Sequence, residues 1–182
     1  MGLALKDDAA LMVPPPDTDF VITVDTVVAG VHFFKDDPAQ SIAEKALGVN
    51  LSDLAAKGAQ PLGFVLALSL PDDWREDWLA QFADGLGKAA EKGACPLLGG
   101  DTTRTSGPLT ISITVFGAVP KGKMVRRTTA QPGDDLPELV VLPLRRGRCE
   151  PRVRKRRPKE YDLMNKPRAV LREALRAQSL AA

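Results

Sequence analysis

The stretch Leu109–Val119 has the sequence LTISITVFGAV, and its apolar side chains recur at every second position. The alternating apolar residues are Ile111, Ile113 and Val115, and hydroxyl side chains lie between them. Because successive side chains of a strand point to opposite faces, this pattern predicts a strand with one face in a core. The other face is less apolar, so the sheet around this strand needs helices on one face only.

Three further stretches upstream predict the other strands of that sheet. FVITV at Phe20–Val24 and GFVLALSL at Gly63–Leu70 are β-branched, aromatic and apolar, as in strands buried on at least one face. Cys95–Leu98 predicts a short fourth strand.

Two helices are predicted between these strands. In the first, Asp37 is the expected N-cap, Pro38 is the first helical residue, and Gly58 ends the helix. The second spans Asp73–Gly93 and begins with a capping box. The order strand, helix, strand, helix, strand, strand predicts a layered domain. Periodicity alone leaves both a doubly wound sheet and a mixed sheet open.

Composition excludes several classes of protein. The 182 residues are 44% hydrophobic and 26% charged, which rules out collagenous, coiled-coil and wholly disordered chains. No apolar run approaches the roughly eighteen residues that span a bilayer, and Met1–Pro16 lacks the apolar stretch of a signal peptide. We therefore expect a cytoplasmic protein with no membrane partner.

Charge is distributed unevenly along the chain. Residues up to Leu144 contain 12 Lys and Arg against 19 Asp and Glu, a net charge of −7, whereas Arg145–Arg176 contains 13 against 4, a net charge of +9. Arg145–Lys159 has nine basic residues and almost no apolar side chain, which predicts a disordered tail. Such runs also occur in nucleic-acid-binding arms, but no aromatic residue interleaves this one for base stacking, so nucleic acid is not the expected partner.

Carboxylates lie at the ends or edges of the predicted elements of the acidic part. They are the pair Asp7 and Asp8, then Asp25, Asp53 and Asp101. Asp residues that converge from separate elements are typical of a Mg²⁺ site, because this hard cation prefers carboxylate oxygens and leaves positions for substrate phosphates. The alternative for each residue is a helix cap or a solvated charge.

Two of these carboxylates lie in distinctive segments. Asp53 lies in NLSDLAAKGA, between apolar residues of a helix that we expect to be buried, where a carboxylate needs a partner. Asp101 lies in GGDTTR at Gly99–Arg104, which we interpret as a flexible turn directly after a strand, where open sheets bind ligands. The Walker phosphate-loop motif is absent from the sequence.

Five segments, in this order and spacing, resemble the N-terminal half of the thiamine-monophosphate kinase family. They are DDAALMVPP, VDTVVAGVHF, KALGVNLSDLAAKGAQPLG, LLGGDTTRTSGPLTISITVFGAVP and RRTTAQPGD. Together they cover Asp7–Asp134. The combination of NLSDLAA with GGDTTR separates this family from others of the same ATP-binding superfamily, such as aminoimidazole ribonucleotide synthetase and selenophosphate synthetase.

The resemblance implies an α+β fold, with a mixed β-sheet, helices on one face, and a homodimer formed through the sheet. It implies an ATP- and Mg²⁺-binding kinase domain at residues 1–134, followed by a basic Arg/Pro-rich tail at 135–182. The implied enzyme is an ATP-dependent phosphotransferase of thiamine diphosphate biosynthesis, which phosphorylates thiamine monophosphate.

The resemblance also implies roles for individual residues, none of which is a side-chain nucleophile. The implied metal site consists of Asp7, Thr23, Val24, Asp25, Asp53 and Asp101. The implied ATP contacts are Gly100, Asp101 and Arg127, and His32 faces the substrate. Phosphoryl transfer suits such a set, because the protein mainly positions two anions and neutralises their charge with metal ions.

The resemblance ends at Asp134, and the sequence then turns abruptly to Arg and Pro. We interpret this as a truncated chain with an off-frame end, which by itself makes little thiamine diphosphate. One alternative is another ATP-dependent member of the superfamily, such as a selenophosphate synthetase-like enzyme. A second is a non-catalytic nucleotide-binding or dimerisation module, which would bind ATP without turnover.

Overall fold

The computed structural model describes residues 9–126 and 128. Its elements follow the predicted order of strand, helix, strand, helix, strand, strand. They are β1 Thr18–Val28, α1 Ala39–Ala56, β2 Gln60–Pro71, α2 Glu76–Lys92, β3 Leu97–Thr105 and β4 Thr110–Pro120. The tail predicted at 135–182 lies outside the described residues.

The four strands form one mixed sheet in the order β1-β4-β2-β3. β4 runs antiparallel to both of its neighbours, while β2 and β3 are parallel. The alternating residues Ile111, Ile113 and Val115 of β4 are fully buried, as their period of two predicts. The predicted α+β class with a mixed sheet is confirmed.

Both helices lie on one face of this sheet. α1 packs on β1, β2 and β4, and α2 packs on α1. At Gly85 the helices approach so closely that a Cβ atom would lie 2.5 Å from the Cα of Gln40, so only glycine fits there. No helix in the described part of the chain is long and apolar enough to cross a membrane. The largest fully buried apolar side chains are Phe64, Phe82, Leu47, Leu54, Ile111, Ile113, Val115 and Val119.

The opposite face of the sheet is exposed at β1. Phe20, Ile22 and Val24 alternate along this strand with inward-facing residues, and 42%, 63% and 60% of their surfaces are exposed. The helices of the described residues therefore cover one face only, in agreement with the sequence. We call Phe20, Ile22 and Val24 the outer apolar patch.

The fourth strand is longer than predicted. Instead of ending at Leu98, β3 continues through the polar GGDTTR segment to Thr105, in parallel register with β2. The predicted flexible turn at Gly99 and Gly100 is therefore wrong. A Cβ atom on Gly100 would lie 2.0 Å from the Leu66 carbonyl oxygen, so close packing against β2 requires glycine at this position.

The start of the first helix also differs from the prediction. α1 begins at Ala39, and no side chain caps it. The carboxylate of Asp37, the predicted N-cap, accepts a hydrogen bond from the Phe34 N–H at 2.9 Å instead. Asp37 thus stabilises the preceding loop, which is the other common use of Asp beside a helix.

The predicted capping box of the second helix is wrong as well. α2 begins at Glu76, its N-cap is Arg75, and no side-chain hydrogen bond caps it. Arg75 instead pairs with Asp77 at 2.7 Å on the surface. The end of α2 is as predicted, because Gly93 is the C-cap of this helix.

Candidate functional site

The candidate site lies where strand β1 passes beneath helix α1. Thr23 and Asp25 lie on the helix-facing side of β1, because alternate residues share a face and the buried Val21 and Val27 lie on the same face. Asp53 of α1 meets them there, and its Oδ2 accepts a hydrogen bond from Thr23 Oγ1 at 3.3 Å. The structure thus brings together three residues of the predicted metal site.

The ionisation of Asp25 is influenced by both of its charged neighbours, Asp53 and His32. Asp25 lies within β1 rather than after its end, which corrects the sequence-based placement. Burial raises the pKa of Asp25 and the negative charge of Asp53 raises it further, whereas His32 lowers it when the imidazole ring is protonated and positively charged. Two carboxylates close enough to interact in this way favour a bound cation, which would neutralise both.

Asp53 is more accessible than predicted. Asp53 lies between Asn50 and Leu54 in the sequence, and both of these residues are fully buried. Asp53 itself is exposed at the side of the helix. The partner that we expected for this carboxylate is the hydroxyl of Thr23. Exposure also leaves its second oxygen accessible to a ligand.

Val24 contributes to the site differently from Thr23 and Asp25. Its side chain belongs to the outer apolar patch, on the face of the sheet opposite to Asp25. Val24 could therefore contact a metal beside Asp25 only through its backbone.

Asp101 lies far from this pair within the chain. It pairs in register with Ala67 of β2, whereas Asp25 belongs to the row that contains Leu66 and Gly100. Since neighbouring rows face opposite sides and β1 and β3 are the two edge strands, roughly 14 Å of sheet separates Asp25 from Asp101. The expected convergence of carboxylates holds for Asp25 and Asp53, and does not extend to Asp101 within one chain.

The side-chain groups that this site offers to a metal ion are the carboxylates of Asp25 and Asp53 and the hydroxyl of Thr23. Among residues 9–126 and 128, no group of three or more His, Cys, Asp or Glu side chains is placed to hold a metal ion. Two carboxylates and a hydroxyl nevertheless fit Mg²⁺, which commonly takes one or two carboxylates and completes its shell with water and phosphate oxygens. Asp7 and Arg127, predicted to bind metal and ATP, lie outside the described residues.

His32 lies in the loop that follows β1, on the side of Asp25. Its backbone N–H donates to the Val28 carbonyl at 2.9 Å, and the Val28 N–H donates back to His32 Nδ1 at 3.0 Å. Lys45 of α1 donates a hydrogen bond from Nζ to the His32 carbonyl oxygen. His32 is exposed, and its effect on the pKa of Asp25 places it beside the carboxylate pair.

A cleft of about 500 Å³ opens beside Asp53, between β1, the end of α1 and the segment after β4. Its walls combine apolar side chains with Thr23, Asp53 and the cations Lys57 and Arg126. A hydrogen bond from the Val125 N–H to the Lys57 carbonyl, 3.2 Å long, joins the two sides of the cleft. The cleft offers apolar surface for a ring and positive charge for an anion.

Sequence reasoning missed three cations of this region. Lys45 and Lys57 are single basic residues in segments of interest for other residues, and Arg126 precedes Arg127, the arginine that is predicted to contact ATP. Lys45 could have been found, because it lies two helical turns before Asp53 on α1, so both can reach the β1 side. Lys57 and Arg126 come together only through the fold.

Three comparisons relate this chain to known proteins. Residues 6–119 match the family model described as AIR synthase related protein, N-terminal domain. The thiamine-monophosphate kinase of Caulobacter vibrioides is 47% identical over 139 residues, which are 75% of this chain and 39% of that protein. The enzyme of the same name from Synechococcus elongatus is 44% identical over 129 residues, 70% of this chain and 39% of that protein.

Solved structures of similar proteins agree with the comparison of sequences. Thiamine-monophosphate kinase from Stenotrophomonas maltophilia superposes with a TM-score of 0.67 at 49% identity, covering 73% of this chain and 41% of that chain. AaThiL complexed with AMPPCP and TMP superposes with a TM-score of 0.61 at 26% identity, covering 70% of this chain and 42% of that chain.

The chain therefore spans about two fifths of the length of the relatives that it matches. The resemblance to thiamine-monophosphate kinase that the sequence indicates is confirmed. Because the family model covers well over half of the chain, this protein belongs to the AIR synthase related protein family, whose N-terminal domain it contains.

Proposed function

We propose that this chain is the nucleotide- and metal-binding part of a thiamine-monophosphate kinase, which transfers the γ-phosphoryl group of ATP to thiamine monophosphate. The observation that carries the proposal is the contact between Thr23 and Asp53 beside Asp25, which brings two carboxylates and a hydroxyl together next to a cleft. The relatives of that name at 44–47% identity support it. So does the relative solved with AMPPCP, an ATP analogue, and TMP.

Asp25 and Asp53 would hold Mg²⁺, with Thr23 orienting the Asp53 carboxylate through its hydroxyl. A metal ion held by these residues would supply positive charge against the negative charge that develops during phosphoryl transfer. Asp7, Asp101 and the backbone at Val24 remain predicted ligands. The two acidic side chains beside each other are the support for this assignment.

The two substrates have different predicted contacts. Gly100, Asp101 and Arg127 are the predicted contacts of ATP, and His32 is the predicted contact of thiamine monophosphate. The positive charges of Lys57 and Arg126 in the cleft beside Asp53 suit the anionic phosphates of either substrate.

The chain would act as a homodimer in the cytoplasm. The outer apolar patch of Phe20, Ile22 and Val24 supports a partner on the uncovered face of the sheet, since exposed apolar patches commonly mark interfaces. The proposed organisation is a kinase domain at residues 1–134 followed by a basic tail at 135–182.

Calorimetric titration of the purified chain with ATP tests the proposal. We expect binding with millimolar Mg²⁺, much weaker binding with EDTA, and loss of the Mg²⁺ dependence in Asp53→Asn. Asp84→Asn removes an exposed carboxylate of α2 that pairs with Lys88 and is the matched control. Binding that is equally strong with and without Mg²⁺, or unchanged in Asp53→Asn, would contradict the proposed metal site.

An assay for thiamine diphosphate, with ATP and thiamine monophosphate as substrates, then tests whether the chain by itself is an active kinase. Formation of thiamine diphosphate that is lost in Asp101→Ala would support the kinase and the predicted role of Asp101. Mg²⁺-dependent binding of ATP without turnover would agree with a nucleotide-binding module and equally with a truncated kinase, which by itself makes little thiamine diphosphate.

A further inference from the structure

The loop that follows β1 is built to present His32. The Gly30 N–H donates to the Phe33 carbonyl at 2.8 Å, and Gly30 has a φ of 79°, a left-handed conformation that favours glycine. Phe33 is buried and anchors the loop, whereas Val31 and Phe34 are 74% and 69% exposed. The loop therefore holds one aromatic side chain in the core and directs the residues around His32 outward.

The ring of His32 is fixed by a reciprocal pair of hydrogen bonds with Val28. The backbone N–H of each residue donates to the other, one to the Val28 carbonyl and one to His32 Nδ1. A nitrogen that accepts a hydrogen bond carries no proton, so the neutral imidazole has its proton on Nε2. Nε2–H is thus the group that His32 offers to a ligand.

Lys45 holds this arrangement from the helix. Its ammonium group donates a hydrogen bond to the carbonyl oxygen of His32. This oxygen takes no part in the two hydrogen bonds between His32 and Val28. Because Lys45 belongs to α1, it ties the orientation of the loop to the helix that also carries Asp53. Lys45 itself is exposed and contributes little to the core, so its replacement should leave the fold intact.

We infer that Lys45 is a positioning residue for His32, and that the two present Nε2–H as a fixed, neutral hydrogen-bond donor to a phosphoryl oxygen bound beside Asp25. A fixed N–H forms a strong hydrogen bond with an ionised acceptor without adding a charge of its own. That the phosphoryl group belongs to thiamine monophosphate rests on the proposed function. The tautomer of His32 and its dependence on Lys45 do not rest on the proposed function.

Nitrogen NMR of the uniformly labelled chain tests the tautomer directly. His32 is the only histidine among the 182 residues, so its two ring nitrogens give the only imidazole signals. At slightly alkaline pH we expect Nε2 to be protonated and Nδ1 to be unprotonated, as one species. The opposite tautomer, or an average of both, would overturn the inference.

Three lysine variants test the role of Lys45. In Lys45→Met we expect the two tautomers to average, and the Val28 amide proton to exchange about tenfold faster or more, because a hydrogen bond from a charged donor is lost. Lys45→Arg should restore both readouts. Lys92→Met removes an exposed lysine of α2 and should change neither. A single tautomer and unchanged Val28 exchange in Lys45→Met would show that Lys45 does not position His32.

Titration with thiamine monophosphate and Mg²⁺ tests the donor itself. We expect the His32 Nε2–H signal to shift on binding, and His32→Gln to retain more affinity than His32→Asn, because only the longer amide can place an N–H where Nε2 lies. Equal affinity of both variants and wild type would overturn the assignment of Nε2–H as the donor. If wild type does not bind thiamine monophosphate but keeps the predicted tautomer and Lys45 dependence, the proposed function fails and the positioning role of Lys45 stands.

Discussion

The Thr23 hydroxyl of β1 donates a hydrogen bond to the Asp53 carboxylate of α1 at 3.3 Å, across 30 residues of sequence. This contact joins the strand to the covering helix at the point where Asp25 also faces the helix. It leaves Asp25 and Asp53 as neighbouring negative charges, so the most direct consequences concern pH and metal ions.

The Asp25→Asn variant should be more stable than wild type at pH 7 in the absence of metal. The pKa of Asp25 is raised by burial and by Asp53, so its ionisation costs more in the folded than in the unfolded chain. The stability that it contributes is therefore present below the ordinary value of 3.8 and is lost as pH rises through the folded-state pKa. Because the group is only half-buried, we expect a gain below about 1 kcal/mol.

Thermal unfolding at pH 7 and at about pH 3 measures this difference. The gain from Asp25→Asn should disappear at the acidic pH, where the carboxyl is protonated in both states. Asp36→Asn alters an exposed carboxylate outside the pair and is the control. A wild type more stable than Asp25→Asn at pH 7 without metal would contradict the prediction.

Mg²⁺ should stabilise the wild-type chain. A ligand that binds only the folded state adds free energy as RT ln(1 + [L]/Kd), about 2.7 kcal/mol at a hundred times Kd. We expect the melting temperature to rise with millimolar Mg²⁺, and this rise to be smaller in Asp25→Asn and in Asp53→Asn. A melting temperature that is the same at all Mg²⁺ concentrations, with and without nucleotide, would count against a shared site.

Gly100→Ala should destabilise the protein, whereas Gly99→Ala should not. The new Cβ at position 100 would lie 2.0 Å from the Leu66 carbonyl oxygen, while at position 99 it would meet nothing within 4 Å. Overpacking of this kind typically costs about 1–3 kcal/mol, and a rigid backbone atom offers no easy relief. Urea unfolding of the two variants measures the difference, and equal midpoints would show that β3 does not pack against β2 as described.

The outer apolar patch should mediate self-association. Ile22→Glu places a charge in the middle of this patch and should shift a dimer to monomer, since a desolvated carboxylate is costly in an apolar interface. Val31→Glu is the matched control, because Val31 is also exposed but lies in the loop after β1. Sedimentation at micromolar concentration distinguishes the two. A wild-type chain that sediments as a clean monomer would refute the sheet-mediated homodimer.

Much of the architecture could be predicted because it depends on local patterns. The alternation of Ile111, Ile113 and Val115 reports directly which face of β4 is buried, and it indicated helices on one face of the sheet. The order of elements and the end of α2 at Gly93 followed from the same local evidence. The helix caps were less predictable, because an Asp side chain can accept a hydrogen bond from a loop N–H as easily as from a helix N–H. The Asp37 carboxylate accepts one from the Phe34 N–H.

The sequence by itself determined the element order, the buried face of β4 and the resemblance that selected Thr23, Asp25 and Asp53. Only the tertiary structure decided which of the selected residues meet. Strand order places β1 and β3 at opposite edges, so Asp25 meets Asp53 and is separated from Asp101. Pairing with β2 also turned the polar GGDTTR segment into a strand. Local periodicity reports how each residue is buried, whereas partners distant in sequence are set by strand order and helix packing, which no single segment encodes.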